Sequence, residues 1–229
     1  FAYIKEHTEI TNVLISGGDS FLLENEQIEK YLSALCEIDH LNYIRFGTKT
    51  PIVLPKRITE DKELLDILKK YSAKKQIYVH TQFNHPSEIT EKSTAAVKCL
   101  INAGVMIKNQ AVLLKGVNDD PEILSKLFMK LTSIGVIPYY IFQCRPVSGV
   151  KNDFQVPLLR GYDIVEKTKK LLDGNAKCFR YAMSNINGKV EVLGKIDNTM
   201  IFKYHQAKNI EDSGRVFQRV LSEDDCWVI

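Results

Sequence analysis

The sequence of 229 residues predicts an α/β protein, with an open or closed (β/α) barrel as its architecture. First, short apolar runs rich in β-branched and aromatic residues recur at 12–16, 42–46, 76–83, 110–115 and 137–143, as is typical of buried parallel strands. Second, amphipathic helical patterns separate these runs. The midpoints of the runs are about 30 residues apart, which is the length of one βα unit. A doubly wound sheet is the alternative architecture.

Each helical pattern has one apolar face, with apolar residues spaced i, i+3 and i+4. Two of these faces consist of Ile28, Leu32, Leu35 and Cys36, and of Leu64, Leu65 and Leu68. The best-marked helix begins at Pro121, with Asp120 placed to cap it and Gly135 placed to end it. These signals alternate with the strands up to residue 143, so we expect about five βα units.

The pattern changes after residue 143. A loose stretch leads into a helix that ends near residue 172, and three short strands are predicted at 179–183, 190–193 and 200–204. The turn signals Asn187-Gly188 and Asp197-Asn198 are typical of antiparallel hairpins. We therefore expect a barrel over residues 1–149 and a small antiparallel extension over residues 150–229, whose tail holds no recognisable motif.

The charge balance argues against a nucleic-acid or membrane partner. Lys and Arg number 31 against 28 Asp and Glu, a net charge of +3, which is too small to attract a polyanion. No apolar run approaches the roughly 18–20 residues that a membrane span needs, and the first residues lack the pattern of a signal peptide. We expect a cytoplasmic protein whose partner is a small molecule.

The chain begins with Phe1, in what looks like the end of a helix. This start predicts that the chain is a piece of a longer protein. A missing upstream βα unit would leave one edge of the barrel without a strand partner. We therefore expect these residues alone to be poorly soluble or to pair with another chain, including a second copy.

The five cysteines, Cys36, Cys99, Cys144, Cys178 and Cys226, lie at least 34 residues apart. Metal and iron–sulfur sites usually draw at least two ligands from one short loop, and no pair here is close enough. The sequence therefore contains no recognisable metal site, and free thiols are expected.

Polar residues follow the predicted strands at the end where ligands bind in parallel α/β folds. They include Gly17-Gly18-Asp19 after the first run, His85 after the third, Gln110 on the fourth and Arg145 after the fifth. Each also has a structural interpretation. Gly-Gly-Asp is compatible with a tight turn and a helix-capping acid. With only His80 nearby and no third ligand, His85 is better explained as a hydrogen-bonded turn residue than as a metal ligand.

In order and in detail, the segments VLISGGDSFLL, IRFGTKTPIVLPKRIT, HTQFNHPSEIT, AGVMIKNQAVLLKGVNDD and PYYIFQC resemble the lysine 2,3-aminomutase family of radical S-adenosylmethionine (SAM) enzymes. The resemblance is close over residues 1–149 and looser beyond. It implies a partial (β/α) barrel of the radical SAM type. It also implies an upstream Cys-x3-Cys-x2-Cys loop that holds a 4Fe-4S cluster, and this chain begins after that loop.

By the same resemblance, Gly17, Gly18 and Asp19 form the motif that meets the amino group of SAM, and His85 and Gln110 lie at the rim near SAM. In the family, an electron from the cluster cleaves SAM to a radical that removes hydrogen from an amino acid substrate, whose amino group then migrates. The cofactors supply that chemistry and the protein positions them.

The aminomutases also bind pyridoxal phosphate through a Schiff base to a lysine that follows a glycine-rich stretch. Here SNINGKVEV places Lys189 at the corresponding point, which predicts that Lys189 is the catalytic, cofactor-binding lysine. Only Gly188 remains of the glycine run, so an exposed turn lysine is the alternative interpretation.

Two departures from the lysine enzymes concern the substrate. Where those enzymes carry aspartates that hold the distal ammonium of lysine, this sequence has Arg145 and Ala182. A guanidinium suits a carboxylate, so we expect Arg145 to bind an acidic substrate such as glutamate rather than lysine. The alternative is that Arg145 only forms an ion pair with an acid such as Asp153.

Three other functions stay open at this point. The chain could belong to a radical SAM enzyme that has another substrate and no pyridoxal phosphate. It could instead be a degenerate domain that binds a ligand or partner without catalysis. An ordinary α/β-barrel lyase with a Schiff-base lysine is the third, although no predicted barrel strand ends in an isolated lysine flanked by apolar residues.

Overall fold

The computed structural model describes residues 1–228, without the side chain of Asn152. Its strands are Asn12–Ile15 (β1), Tyr43–Gly47 (β2), Gln76–Thr81 (β3), Met106–Leu113 (β4), Ile137–Gln143 (β5), Arg180–Asn185 (β6), Gly188–Ile196 (β7), Thr199–Ala207 (β8) and Val216–Val220 (β9). Its α-helices are Ala2–Glu6 (α1), Asn25–Cys36 (α2), Thr50–Val53 (α3), Lys56–Thr59 (α4), Lys62–Ser72 (α5), Glu91–Asn102 (α6), Pro121–Ser133 (α7), Lys151–Phe154 (α8) and Leu158–Lys170 (α9). None of the helices in this described part is long and apolar enough to cross a membrane.

The contacts of the chain divide it into two compact units. The first unit comprises Phe1–Phe83, Ser87–Asn109 and Leu131–Ile137. The second comprises Asn84–Pro86, Gln110–Lys130 and residues 138–228. Strand β4 contributes its first half to the first unit and its second half to the second.

The first unit contains a parallel sheet in which β1, β2, β3 and the start of β4 are neighbours in that order. Buried and partly buried residues alternate along β2 and β3. The buried set forms the core and has no exposed surface: Ile44, Phe46, Ile77 and Val79. The helices α2, α5 and α6 bury one face each. On α5 the buried set includes Ile67 rather than the predicted Leu65, which is only partly buried.

Strand β4 begins at Met106, four residues earlier than predicted. The sequence did not indicate this earlier start because Lys108 and Asn109 are polar, although Ile107 and Asn109 are both buried. The Asn109 side chain accepts a hydrogen bond from Phe83 N–H at 2.7 Å and donates to Phe83 O at 3.0 Å. The Asn109 amide replaces the hydrogen bonds that a neighbouring strand would make to the backbone of Phe83, which lies beyond the end of β3. Because both partners are satisfied, burying Asn109 is not costly.

The second unit contains the end of β4, strand β5 from Pro138 onwards, and strands β6 to β9. Strand β6 is parallel to β5, with Tyr140 opposite Arg180, so the prediction that it belongs to an antiparallel addition was wrong. Helix α9 connects the two strands and makes a parallel crossover feasible. Strands β7, β8 and β9 are antiparallel, as predicted for the first two. The tail, for which no motif was recognised, supplies β9.

The predicted ends of α7 and α9 agree with the structure. The Asp120 carboxylate caps α7 by accepting hydrogen bonds from Glu122 N–H at 2.8 Å and Ile123 N–H at 3.1 Å, and Pro121 is the first helical residue. Gly135 follows α7 with φ +86°, the left-handed conformation that a helix end often requires. Local signals therefore set both ends of α7.

Candidate active site

The loop after β1 turns through two glycines with left-handed backbones. Gly17 has φ +103° and Gly18 has φ +59°, values that residues with a Cβ rarely adopt. No atom lies within 4 Å of the position that a Cβ would take on either glycine. The loop therefore needs glycine for its conformation, and both glycines border open space.

The carboxylate of Asp19 receives four hydrogen bonds from two segments of the chain. Its Oδ1 accepts from Phe21 N–H at 3.0 Å and from the hydroxyl groups of Thr48 at 2.5 Å and Thr50 at 2.8 Å. Its Oδ2 accepts from Lys49 N–H at 2.7 Å. Asp19 therefore joins the loop after β1 to the loop after β2, and Oδ2 keeps acceptor capacity for one further donor.

These hydrogen bonds determine the charge state of Asp19. Burial works to raise the pKa of the carboxyl group, but the donors from Thr48, Lys49 N–H, Phe21 N–H and Thr50 outweigh it and hold the pKa below its usual range. Asp19 is therefore an anion at neutral pH, in a half-buried position beside the glycine loop.

Arg57 fixes the outer part of the same loop. Its guanidinium donates to Phe21 O at 3.0 Å, Leu23 O at 3.1 Å and Asn25 Oδ1 at 2.7 Å, and it forms an ion pair with Asp61. Because its planar fork serves several acceptors at once, it holds the segment that follows Asp19. Sequence reasoning missed Arg57. Its i, i+4 spacing to Asp61 is the signal that could have indicated it.

In the second unit, two asparagines hold the segments that carry His85 and Gln110. Asn118 is fully buried and donates to Asn84 O and Val112 O, both at 2.8 Å. The Asn84 Oδ1 accepts from Val112 N–H at 2.9 Å. His85 directly follows Asn84, and Gln110 lies on β4 two residues before Val112, on the half-buried side of that strand.

The buried side chain of Gln143 connects the end of β5 to the tail. It donates to Val156 O at 2.6 Å and Cys226 O at 2.8 Å, and it accepts from the Tyr181 hydroxyl at 2.5 Å. Burial, with a smaller contribution from Cys226, raises the pKa of Tyr181, so Tyr181 stays a neutral donor. This network fixes the backbone from which Arg145 extends.

Arg145 reaches strand β6. Its Nη2 donates to Ser184 O at 3.3 Å, and the structure gives its guanidinium no ion pair with any described acid, Asp153 included. The side chain is exposed. Ser184 lies opposite Lys189 in the β6–β7 hairpin, so the structure brings two of the predicted site residues to the same hairpin.

Lys189 lies against aromatic rings of β5. Its Nζ is 4.4 Å from the ring centroid of Tyr140 and 5.3 Å from that of Phe142. The preceding residue, Gly188, has φ +138°, and a Cβ there would stand 2.1 Å from Gln206 O. Only glycine allows β8 to approach this closely, so the single glycine left from the expected run serves the packing of the strands that present Lys189.

Charged and titratable side chains lie near the Tyr140 ring that Lys189 contacts. Arg180 forms an ion pair with Glu191, with 3.4 Å between Nε and Oε2. The His205 ring lies 6.0 Å from that of Tyr140, edge to face. Burial lowers the pKa of His205, and among the nearby charges Arg180 lowers it most, while Glu191 opposes this effect. His205 is therefore neutral at neutral pH, and neither His205 nor Tyr140 had been predicted.

No group of three or more His, Cys, Asp or Glu side chains within residues 1–228 is arranged to hold a metal ion. The five cysteines form no disulfide, and burial raises the pKa of Cys144 and Cys226. The described residues therefore do not fit the ligand set of an iron–sulfur cluster.

Comparison with known proteins identifies relatives of this chain, although no family model matches it. A putative L-lysine 2,3-aminomutase of Aquifex aeolicus is 41% identical over 221 residues, which is 95% of this chain and 59% of that protein. The L-lysine 2,3-aminomutase of Clostridium subterminale is 44% identical over 72% of this chain and 38% of its own length. The glutamate 2,3-aminomutase of Clostridioides difficile is 44% identical over 76% of this chain and 40% of its own length.

The chain belongs to the lysine 2,3-aminomutase family. It spans 38–59% of the length of these aminomutases. A mutant spore photoproduct lyase has the same fold, with a TM-score of 0.51 at 13% identity over 79% of this chain and 63% of that one. The predicted fold class, α/β with a partial (β/α) barrel of the radical SAM type, is confirmed.

The predicted site residues of this aminomutase-family chain are distributed over both units. Gly17, Gly18 and Asp19 lie in the first unit, and His85, Gln110, Arg145 and Lys189 lie in the second. Within the second unit, Arg145 bonds to Ser184, the residue paired with Lys189 in the β6–β7 hairpin. Their roles in binding cofactor or substrate stay predictions.

Proposed function

We propose that this chain is the downstream part of a radical SAM amino acid 2,3-aminomutase. The observation that carries the proposal is 41–44% identity to lysine and glutamate 2,3-aminomutases over 72–95% of the chain. An enzyme of this class catalyses an isomerisation in which an amino group moves between adjacent carbons. We also propose a cytoplasmic location, which the free cysteines support.

The loop of Gly17, Gly18 and Asp19 fits a role in binding SAM. The open space beside both glycines allows a ligand to approach the backbone, and the anionic Asp19 retains an acceptor site suited to an ammonium group. A solved spore photoproduct lyase with this fold contains bound SAM. When bound, SAM supplies a hydrogen-abstracting group after one-electron reduction, and this chain contributes a rigid binding loop.

The reducing 4Fe-4S cluster would be bound outside the described residues, which do not fit its ligand set. The contribution of this chain is to position SAM and substrate.

Lys189 fits the role of the lysine that binds pyridoxal phosphate covalently. Such a lysine needs a partly dry environment, and the rings of Tyr140 and Phe142 cover one side of Nζ. The neutral His205 ring lies edge to face against Tyr140, with 6.0 Å between the ring centroids. When bound, the cofactor provides an electron sink for the amino acid, while Lys189 anchors it and the aromatic rings limit the access of water.

We further propose that the substrate is an acidic amino acid such as glutamate, with Arg145 as the residue that binds its distal carboxylate. The alternative ion pair with Asp153 is not formed. The guanidinium has donors left beyond its bond to Ser184 O, since it carries five N–H groups. It extends towards Ser184, the residue opposite Lys189. Ala182, which takes the place of the second aspartate of the lysine enzymes, lies opposite Glu191 and is fully buried.

The test uses the complete gene product, reconstituted anaerobically with iron, sulfide and a reductant. We expect release of 5′-deoxyadenosine from SAM that rises with glutamate and more weakly with lysine. We also expect bound pyridoxal phosphate, seen by its absorbance, that is lost in Lys189→Ala. Release without any such absorbance would favour a radical SAM enzyme that lacks pyridoxal phosphate. No release and no bound iron would reject the enzyme proposal and leave a binding domain.

A further inference from the structure

Strand β9 forms an exposed edge of the sheet in the second unit. Within residues 1–228 its neighbour in the strand order is β8 alone. Its five residues, Val216–Val220, pair with β8 without a register shift, whereas the β7–β8 pair contains two irregularities. The edge is therefore regular enough to accept another strand.

The backbone bonds at both ends of β9 show which residues point away from β8. Arg215 O accepts from Tyr204 N–H at 3.0 Å, and Leu221 N–H donates to Asn198 O at 2.9 Å. Because every second residue of an antiparallel strand bonds to a given neighbour, residues 217 and 219 also bond to β8. The N–H and C=O groups of residues 216, 218 and 220 therefore point outwards.

One feature agrees with this assignment. The Gln218 carbonyl accepts from Arg219 Nη1 at 3.0 Å rather than from β8. The side chains of Val216 and Val220 are also unusually exposed for valine, at 56% and 78%. Strand β9 contains no proline, lysine or bulge, which commonly protect the edges of sheets, and its one charged residue is the exposed Arg219.

The sequence of β9 is complementary to itself in the antiparallel direction. If two copies pair about a two-fold axis at Gln218, Val216 lies opposite Val220 of the other copy and the two Gln218 residues face each other. Phe217 then lies opposite the other copy's Arg219. No like charges oppose one another, and the Arg219 guanidinium already packs on a phenylalanine, 5.5 Å from the ring of Phe217 in its own strand.

We propose that β9 is a self-association edge, which pairs antiparallel with β9 of a second copy of this chain across a two-fold axis at Gln218. Such pairing satisfies the outward N–H and C=O groups of residues 216, 218 and 220, about six main-chain hydrogen bonds in all. It also brings two exposed valine pairs together, and in an isologous contact each favourable pair occurs twice.

The first test compares charge variants of the complete gene product by sedimentation velocity over a range of concentrations. Val216→Glu combined with Val220→Glu places like charges opposite one another twice, and we expect the dissociation constant of the dimer to rise by about tenfold or more. Val216→Glu combined with Val220→Lys places opposite charges there, and we expect dimerisation to return to within about threefold of the unmodified protein.

The control is Ile210→Glu, which also introduces a charge in place of an exposed apolar residue, at 82% exposure, but outside β9. It should leave the dimer unchanged. The proposal is overturned if the unmodified protein stays monomeric, or if both double variants behave alike. If the two double variants have the same dissociation constant, the dimer contact lies elsewhere or the β9 edge pairs with another segment.

Amide hydrogen exchange gives a second readout that does not depend on any variant. Val216, Gln218 and Val220 should become protected as protein concentration rises, while Phe217 and Arg219 are protected at every concentration by β8. Gln218→Pro removes an outward N–H without removing a bond to β8, so it should abolish the concentration dependence and leave Phe217 protected. Concentration-independent exchange at all five residues would contradict the proposal.

Discussion

The hydroxyl group of Thr48 donates to Asp19 Oδ1 at 2.5 Å, joining loops that are 29 residues apart in sequence. Together with Thr50 and two backbone N–H groups it makes Asp19 the common anchor of the loops after β1 and β2. The carboxylate thus shapes the proposed SAM loop in addition to any contact with the ligand.

Replacing Asp19 with Asn should destabilise the first unit. The amide keeps one acceptor but presents N–H groups to donors, so buried hydrogen bonds are lost. We expect the free energy of unfolding at neutral pH to fall by about 1–3 kcal/mol. Urea unfolding measures this change. Asp66→Asn, on an exposed part of α5, is the matched control and should change stability by less than about 0.5 kcal/mol.

The same carboxylate makes stability depend on pH. Because folding lowers the pKa of Asp19, its contribution is complete above the pKa of the unfolded state, near 3.8, and is lost as pH falls through the lower folded value. The stability difference between the unmodified protein and Asp19→Asn should therefore shrink below about pH 4. A difference that stays constant down to pH 2 would exclude this role.

Replacing Gly188 with Ala should disrupt the β7–β8 pair and the position of Lys189. The new Cβ would stand 2.1 Å from Gln206 O, a backbone atom that cannot move without opening the pair. We expect the free energy of unfolding to fall by about 3 kcal/mol or more, and the absorbance of bound cofactor to weaken in the complete protein. Gly174→Ala is the control, because nothing lies within 4 Å of that Cβ.

Arg145→Asp should change substrate preference. It removes the cation proposed to bind a distal carboxylate and restores an anion suited to an ammonium group, so the ratio of kcat/KM for glutamate to that for lysine should fall by about tenfold or more. Lys151→Asp makes the same change of charge six residues away and should leave the ratio unaltered. An unchanged ratio in Arg145→Asp would reject the acidic-substrate proposal.

His205 should make the second unit sensitive to moderate acid. Folding lowers its pKa through burial and nearby Arg180, so stability is complete above the unfolded pKa of about 6.5 and falls as pH decreases below it. His205→Gln should flatten the stability profile between about pH 5 and 7. His7→Gln, in a partly exposed helix-end position, is the control and should leave that slope in place.

Much of the fold was predictable because short-range patterns determine it. The apolar runs of β1, β2, β3 and β5 match the observed strands within a few residues, and the cap at Asp120 is formed by its own neighbours. The start of β4 was missed because a buried Asn109 bonded to Phe83 looks polar in sequence. Strand β9 was missed because its sequence, Val-Phe-Gln-Arg-Val, shows no clear alternation of apolar and polar residues.

The sequence by itself determined the family, the alternation of strands and helices, and the left-handed loop at Gly17 and Gly18, since each depends on local residue type and order. Tertiary structure alone decided that β6 is parallel to β5, that Asp19 is bonded by residues about 30 positions away, and that Arg145 lies beside the Lys189 hairpin. Those features depend on which distant segments pack together. Hydrogen bonds between residues far apart in the chain leave no periodic trace in the sequence.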